Sequence, residues 1–345
     1  MTATSIMLVG GPASGKTNYI ARLWLAFQAR KGSLRADKLP SNIQYVDDAV
    51  RHLMALKFAP RSDRNIDAGR RDFEVDLRGN NGHGPARTLQ VPDITGELWK
   101  RAIANYELPD EWMEALRGSS SAILFVRAHS KFNAQPVDWV TARDVLNMHL
   151  GEIDDDLDNY DEDEEDEESL EAPLNGAVHD LDSAGDNAAQ VQVGAPAEDI
   201  QPEQGVDEAV SSAAGPKLPA QVGFCELLRF LSLLLADRPD GSRPRVAVVV
   251  TAWDMLDATA RNAGPMQYLQ DQFPFLAGRI QTPGRLEIET FGMSIVGGDL
   301  RGKPEFRASL KGVDLSTVGY TAVMRDGIVV EDPDVALPIA WALGD

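Results

Sequence analysis

Two spacings of apolar residues, one strand-like and one helical, take turns along this chain, and the switches between them outline its elements. Ser5-Ile6-Met7-Leu8-Val9 is a short apolar run of the kind found in a strand buried on both faces. After a glycine-rich break, Ile20, Leu23, Trp24 and Phe27 fall on one helical face, and Ile43, Val46, Val50 and Leu53 repeat the pattern. Residues 73–78 and 87–91 read as strands around the turn residues Asn80-Asn81-Gly82-His83-Gly84, which predicts a hairpin. Residues 98–106, 111–117 and 138–150 read as helices, and 121–126 as a buried strand. Further on come an apolar helix at 224–236, a core strand at 245–250, a helix near 266–276 and a strand at 286–291. A final helix over 334–343 carries Val335, Ile339 and Leu343 on one face. This alternation predicts an α/β fold: a doubly wound, mostly parallel sheet with helices on both faces and one antiparallel hairpin strand.

Composition changes this picture in one segment. The chain has 345 residues and a net charge of −21, yet residues 151–215 hold 22 Asp or Glu and no Lys or Arg. The other residues balance 32 acids against 33 bases. Residues 151–215 are also poor in large apolar side chains, so they are read as a disordered acidic insertion, a solvated spacer or an electrostatic docking arm. A near-neutral body gives no reason to expect nucleic acid as a partner. No apolar run approaches the ~20 residues that cross a bilayer. With a single cysteine, Cys225, read as a core thiol, a cytosolic protein without membrane attachment is expected.

The chemistry begins where the first strand stops. Gly10-Gly11-Pro12-Ala13-Ser14-Gly15-Lys16-Thr17 is a phosphate-binding loop set between a strand and a helix. Glycines let main-chain N–H groups turn around phosphate oxygens, and the helix that follows presents its positive end to the anion. Lys16 is the candidate for the β- and γ-phosphates and Thr17 for Mg²⁺, with Asn18 the next candidate nucleotide contact. A second signal is Val91-Pro92-Asp93-Ile94-Thr95-Gly96-Glu97. Asp-x-x-Gly occurs four times, at Asp76, Asp93, Asp182 and Asp299, but Asp93 alone stands at the end of a strand on the chain's second pass beside the loop. There a carboxylate can hold the Mg²⁺ hydration shell, and the Gly96 N–H can approach a γ-phosphate. A third is Val248-Val249-Val250-Thr251-Ala252-Trp253-Asp254. Asp254 can accept both the N1–H and the amine of guanine, an arrangement adenine does not offer. The plainer role for Asp254 is a helix N-cap.

Phosphate loop, hairpin, Asp-x-x-Gly and Thr-x-x-Asp in this order resemble the Ras-like, translation-factor-related GTPases. With Leu337-Pro338-Ile339-Ala340-Trp341, the chain is more narrowly similar to the bacterial double-GTPase proteins of predicted conflict or defence systems. The resemblance implies a Ras-like P-loop domain formed by 1–150 and 216–345, with 151–215 inserted. It implies GTP as substrate, GDP as product, Mg²⁺ as cofactor, and a switch that works with protein partners, another GTPase among them. Several positions depart from the pattern. No Thr occurs between Thr17 and Thr88, so either Ser62 substitutes as the switch-loop ligand or the loop does not close over the metal in the usual way. Ala252 stands where the base-recognition motif usually has Lys, and Trp253 is read as core. Glu97 replaces the water-orienting Gln; its charge repels a γ-phosphate, which predicts slow hydrolysis. Gly292-Met293-Ser294 is the candidate for a backbone N–H to the guanine carbonyl, assigned to Ser294. Arg61, Arg64, Arg70 and Arg71 cluster in the presumed switch region, where one can serve as an internal arginine finger. His83 and His129 are read as surface residues. Trp99 is the natural fluorescent reporter of switching. A nucleotide-binding adaptor with little turnover and an ATP-dependent enzyme are the competing readings.

Overall fold

The computed structural model describes residues 3–37, 44–60, 70–79, 87–94, 96–105, 107–130, 133 and 219–344. The chain divides into two units, Met1–Ile153 with Lys217–Asp345, and Asp154–Pro216. The second unit, and with it the expected acidic insertion, lies outside the described residues, as does the expected helix at 138–150.

Nine strands form one sheet in the first unit: β1 (Ala3–Val9), β2 (Leu34–Ala36), β3 (Arg70–Gly79), β4 (Arg87–Ile94), β5 (Ser119–Arg127), β6 (Arg245–Thr251), β7 (Glu287–Ser294), β8 (Tyr320–Arg325) and β9 (Ile328–Asp332). Their order is β2-β3-β4-β1-β5-β6-β7-β8-β9. The five central strands, β4, β1, β5, β6 and β7, are mutually parallel. The pairs β2–β3, β3–β4, β7–β8 and β8–β9 are antiparallel. The fold is therefore mixed α/β with a parallel centre, and antiparallel pairing extends beyond the one expected hairpin strand. The added hairpin, β8–β9, turns at Asp326-Gly327, both with positive φ (51° and 78°), the pattern of a two-residue primed turn.

The described helices are α1 (Lys16–Gln28), α2 (Gln44–Met54), α3 (Gly96–Asn105), α4 (Asp110–Arg117), α5 (Ala220–Leu234), α6 (Ala258–Ala263), α7 (Pro265–Gln272), α8 (Pro274–Gln281), α9 (Pro304–Ser309) and α10 (Leu337–Leu343). They cover both faces of the sheet, because central strands send alternate side chains to opposite sides. Met7, Val9, Leu124, Val126, Val248 and Val250 meet Trp99, Trp112, Leu228, Leu269 and Leu276 on one face. Ile6, Leu8, Ile123, Phe125 and Val249 meet Ile20, Leu23, Phe27 and Ile339 on the other. The expected helix near 266–276 is two helices, since Pro274 cannot continue a helix and opens α8 instead. The last helix starts at Leu337 because Asp334 is used in the turn before it, accepting from Ala336 N at 2.8 Å and Ser33 N at 2.7 Å.

Candidate functional site

The carboxyl ends of the central parallel strands carry the three signals read from the sequence, as expected where loops leave a doubly wound sheet. At the end of β1 the chain must be glycine at Gly10: a Cβ there would lie 2.9 Å from Ser14 Oγ and 3.1 Å from the Phe125 carbonyl oxygen. Ala13 (φ 52°) and Gly15 (φ 92°) adopt left-handed backbone that curls the loop, and such curled loops form concavities lined with N–H groups. No side chain caps α1, so an anion is the natural partner for its first turn. Lys16 is 7% exposed, and its ammonium donates to the carbonyls of Gly10 (2.8 Å) and Gly11 (3.4 Å) inside that curl. Thr17 and Asn18 are half-buried in the same turn. The Asn18 amide oxygen accepts from Ala59 N at 2.9 Å, tying α1 to the segment after α2.

The second signal reaches the loop through the backbone. Asp93 is in register with Leu8 of β1 and Arg71 of β3. Gly96 opens α3 against the loop itself: a Cβ on Gly96 would lie 2.4 Å from the Gly11 carbonyl and Pro12 N. The expectations placed on the side chains of Asp93 and Glu97 lie outside the described residues, as do Ser62, Arg61, Arg64 and His83. Arg70 and Arg71 belong to strand β3 rather than to a loop. Trp99 is fully buried against Trp112, ring centroids 5.2 Å apart. His129 is at the surface.

At the end of β6 the structure divides roles that the sequence reading had joined. The buried Thr251 hydroxyl donates to the Ser14 carbonyl at 2.9 Å, so this side chain braces the phosphate loop. Asp254 lies in a single 3₁₀ turn, Trp253–Met255. The cap of the following helix is Asp257, which accepts from Ala260 N at 2.8 Å, so the N-cap role falls to Asp257 and not to Asp254. Burial pushes the Asp254 carboxyl above the ordinary range, while a hydrogen bond from the Ser294 hydroxyl opposes that shift. Ser294 Oγ in turn accepts from Gly297 N at 2.9 Å. The Ser294 side chain, held by the turn after β7, is thus near enough to Asp254 to influence its charge. Trp253 is core, packed edge-on to Tyr268 at 6.0 Å. Its indole occupies the space a Cβ on Gly292 would need, 2.5 Å away.

The sequence model of one family, Double-GTPase 1, matches residues 7–342. The chain belongs to the Double-GTPase 1 family. Comparison with curated proteins found no match. Membership in a GTPase family suggests GTP binding and hydrolysis and implies a P-loop fold. No helix among the described residues is long and apolar enough to cross a membrane. Two arginines that the sequence reading passed over also hold main-chain carbonyls, Arg127 in the phosphate loop and Arg22 away from it. Arg127, at the end of β5, donates from Nη1 to the Ala13 carbonyl at 3.1 Å. Arg22, on the inner face of α1 and 1% exposed, donates to the carbonyls of Val318 (2.9 Å) and Ser316 (3.0 Å). An arginine on an otherwise apolar helix face was the signal available for Arg22. A charged residue ending an apolar strand was the signal for Arg127. Cys225 is half-buried, and burial pushes its thiol up.

Proposed function

We propose that this chain is a Mg²⁺-dependent GTPase switch of Ras-like topology, with GTP laid along the carboxyl ends of β1, β5, β6 and β7. The observation that carries the reading is the bracing of one glycine-rich loop from both sides, by Thr251 on Ser14 and by the Gly96 backbone on Gly11 and Pro12. The curled loop with its interior ammonium fits a triphosphate, and Lys16 exchanges main-chain carbonyls for β- and γ-phosphate oxygens. Thr17 and Asp93 are hard oxygen donors suited to Mg²⁺, which needs few protein ligands beside phosphates and water. When bound, that ion neutralises charge on the β- and γ-oxygens.

Gly96 N–H faces the γ-phosphate in this reading, and Glu97 orients the attacking water. The carboxylate accepts the water's proton but raises the charge beside the phosphate, so turnover is slow. Asp254, with Ser294 beside it, reads guanine. Ordering and release of the segments around 58–72 and 94–100 make the switch, working with protein partners in a conflict or defence setting, as the double-GTPase resemblance implies. The test is binding and turnover across GTP, GDP and ATP, with and without Mg²⁺, beside Lys16→Ala. The expected result is Mg²⁺-dependent preference for GTP over ATP and turnover above that variant. Turnover equal to Lys16→Ala overturns the hydrolytic part and leaves a binding adaptor, and equal affinity for ATP removes Asp254 from its role.

A further inference from the structure

We propose that Arg127 supplies, from strand β5, the cation that the base-recognition segment lacks at Ala252, and that its guanidinium lies against the nucleoside part of the bound nucleotide. The inference rests on the GTP-site reading above. It begins with a gap: Ala252 carries only a methyl group, on left-handed backbone (φ 56°), between the loop-bracing Thr251 and the base-facing Asp254. Nothing of its size reaches a ligand with charge.

The neighbouring strand fills that position. Arg127 is in register with Thr251, and the ladder continues one step, with Ala128 N donating to the Thr251 carbonyl at 3.0 Å. The end of β5 is held further by Asn133, whose amide donates to the Arg127 carbonyl at 2.8 Å. These register neighbours grip consecutive carbonyls of the phosphate loop: Arg127 takes Ala13 at 3.1 Å and Thr251 takes Ser14 at 2.9 Å. Arg127 is also the one exposed residue of a strand whose other residues are buried or half-buried.

Sheet order then locates it along the ligand. Phosphates belong to the loop after β1, and the base belongs to Asp254 after β6 and Ser294 at the end of β7. Strand β5 lies between β1 and β6. A side chain leaving the end of β5 therefore meets the stretch between triphosphate and base, which is the ribose and the adjoining purine face. A planar guanidinium stacks on such a surface while keeping an in-plane hydrogen bond to Ala13, which an ammonium does less well. Because that part of the ligand is common to GTP and GDP, the contact contributes equally to both.

Calorimetric titration of the full chain with GTP and with GDP, each with Mg²⁺, tests this on wild type, Arg127→Ala, Arg127→Gln and Arg127→Ala/Ala252→Lys. Removing a cation–aromatic contact weakens binding by roughly 3- to 30-fold. The expected result is that Ala and Gln weaken GTP and GDP by the same factor in that range, and that lysine at 252 restores affinity. Gln keeps a donor for the Ala13 carbonyl, so wild-type affinity in Arg127→Gln overturns the proposal in favour of a loop brace. A loss confined to GTP turnover with GDP affinity intact overturns it in favour of a γ-phosphate role, and a double variant no tighter than Arg127→Ala overturns the equivalence with lysine. Independently of any variant's folding, GDP is expected to protect Arg127 of the wild type from phenylglyoxal, read by peptide mass spectrometry, and an unprotected Arg127 overturns the contact. Wild type that binds neither nucleotide sinks the reading of the site itself, whereas tight wild-type binding with unaffected variants sinks this inference alone.

Discussion

Asp254 works under opposed demands. Burial, with Asp299 nearby, disfavours its charge, while the Ser294 hydroxyl and Arg261 favour it, and the net effect is a carboxyl raised above the ordinary 3.8. A raised acid holds its proton more tightly in the folded state than in the unfolded one, so its charge costs stability above the raised value. That cost is relieved as pH falls through the raised value toward 3.8. The proposed guanine recognition runs the other way, because only the carboxylate accepts two hydrogens. GTP affinity is therefore expected to fall with pH at a point where ordinary carboxylates are still ionised, measured by titration against pH. Asp254→Asn is expected to raise the melting temperature of the nucleotide-free protein and to weaken GTP by roughly 10- to 100-fold, the worth of hydrogen bonds to a charged group. It should also favour xanthine nucleotides, whose carbonyl accepts from the new amide. Gly96 makes a sterically simpler case. A methyl group there meets loop backbone at 2.4 Å, which cannot move aside as a side chain can. Gly96→Ala is expected to lower kcat/KM for GTP by about 10-fold or more, each tenfold being about 1.4 kcal/mol of lost transition-state stabilisation.

At the scale of elements, α1 joins the proposed phosphate end of the site to its proposed base end. Its first turn carries Lys16 and Thr17, and one face further on carries Arg22, whose guanidinium is lowered to about 10 by burial against the raising influence of Asp314 and Asp334. Arg22 holds the carbonyls of Ser316 and Val318. The next residue, Gly319 (φ 75°), packs so closely on Ser294 and Ile295 that a Cβ would lie 2.5 and 2.3 Å from their carbonyl oxygens. The segment that presents Ser294 to Asp254 is thus backed by a turn that α1 fastens. Arg22→Met is expected to cost about 2–4 kcal/mol in denaturant unfolding, because it strands buried carbonyls. Hydrogen exchange is expected to rise across 314–319. The last helix is fastened comparably: Arg238 donates to the Ala342 and Leu343 carbonyls at 2.9 Å, and Arg245 to that of Trp341 at 2.8 Å. Cations at a helix C-terminus also meet its negative end favourably.

At the scale of the molecule, the proposed ligand bridges elements far apart in sequence, from Gly10 to Ser294, so it binds the folded chain alone. Mg²⁺–GTP at about 100 times its Kd adds roughly 2.7 kcal/mol to stability, or about 5 °C or more for a domain of this size. Thermal melts are expected to show that shift with GTP and GDP, little with ATP, and none with GTP in Lys16→Ala. Equal shifts with ATP would count against guanine recognition.

Much of this was legible in the residues because the signals are local. A phosphate loop is eight consecutive residues whose glycines and lysine have meaning only between a strand and a helix, and buried parallel strands announce themselves as unbroken apolar runs. The β8–β9 hairpin was legible too, in Asp326-Gly327 ahead of the β-branched run Ile328-Val329-Val330, but passed unread. What the tertiary structure alone decided are partnerships between residues hundreds of positions apart. Thr251 reads only as part of a Thr-x-x-Asp motif until β6 places its hydroxyl on Ser14. Asp254 gains a polar neighbour only when β7 brings Ser294 beside it. Arg127 looks like an ordinary strand end until parallel pairing sets it next to Thr251. Periodicity reports which face a side chain takes, whereas strand order and register, set by packing the whole sheet between its helices, determine what that face meets.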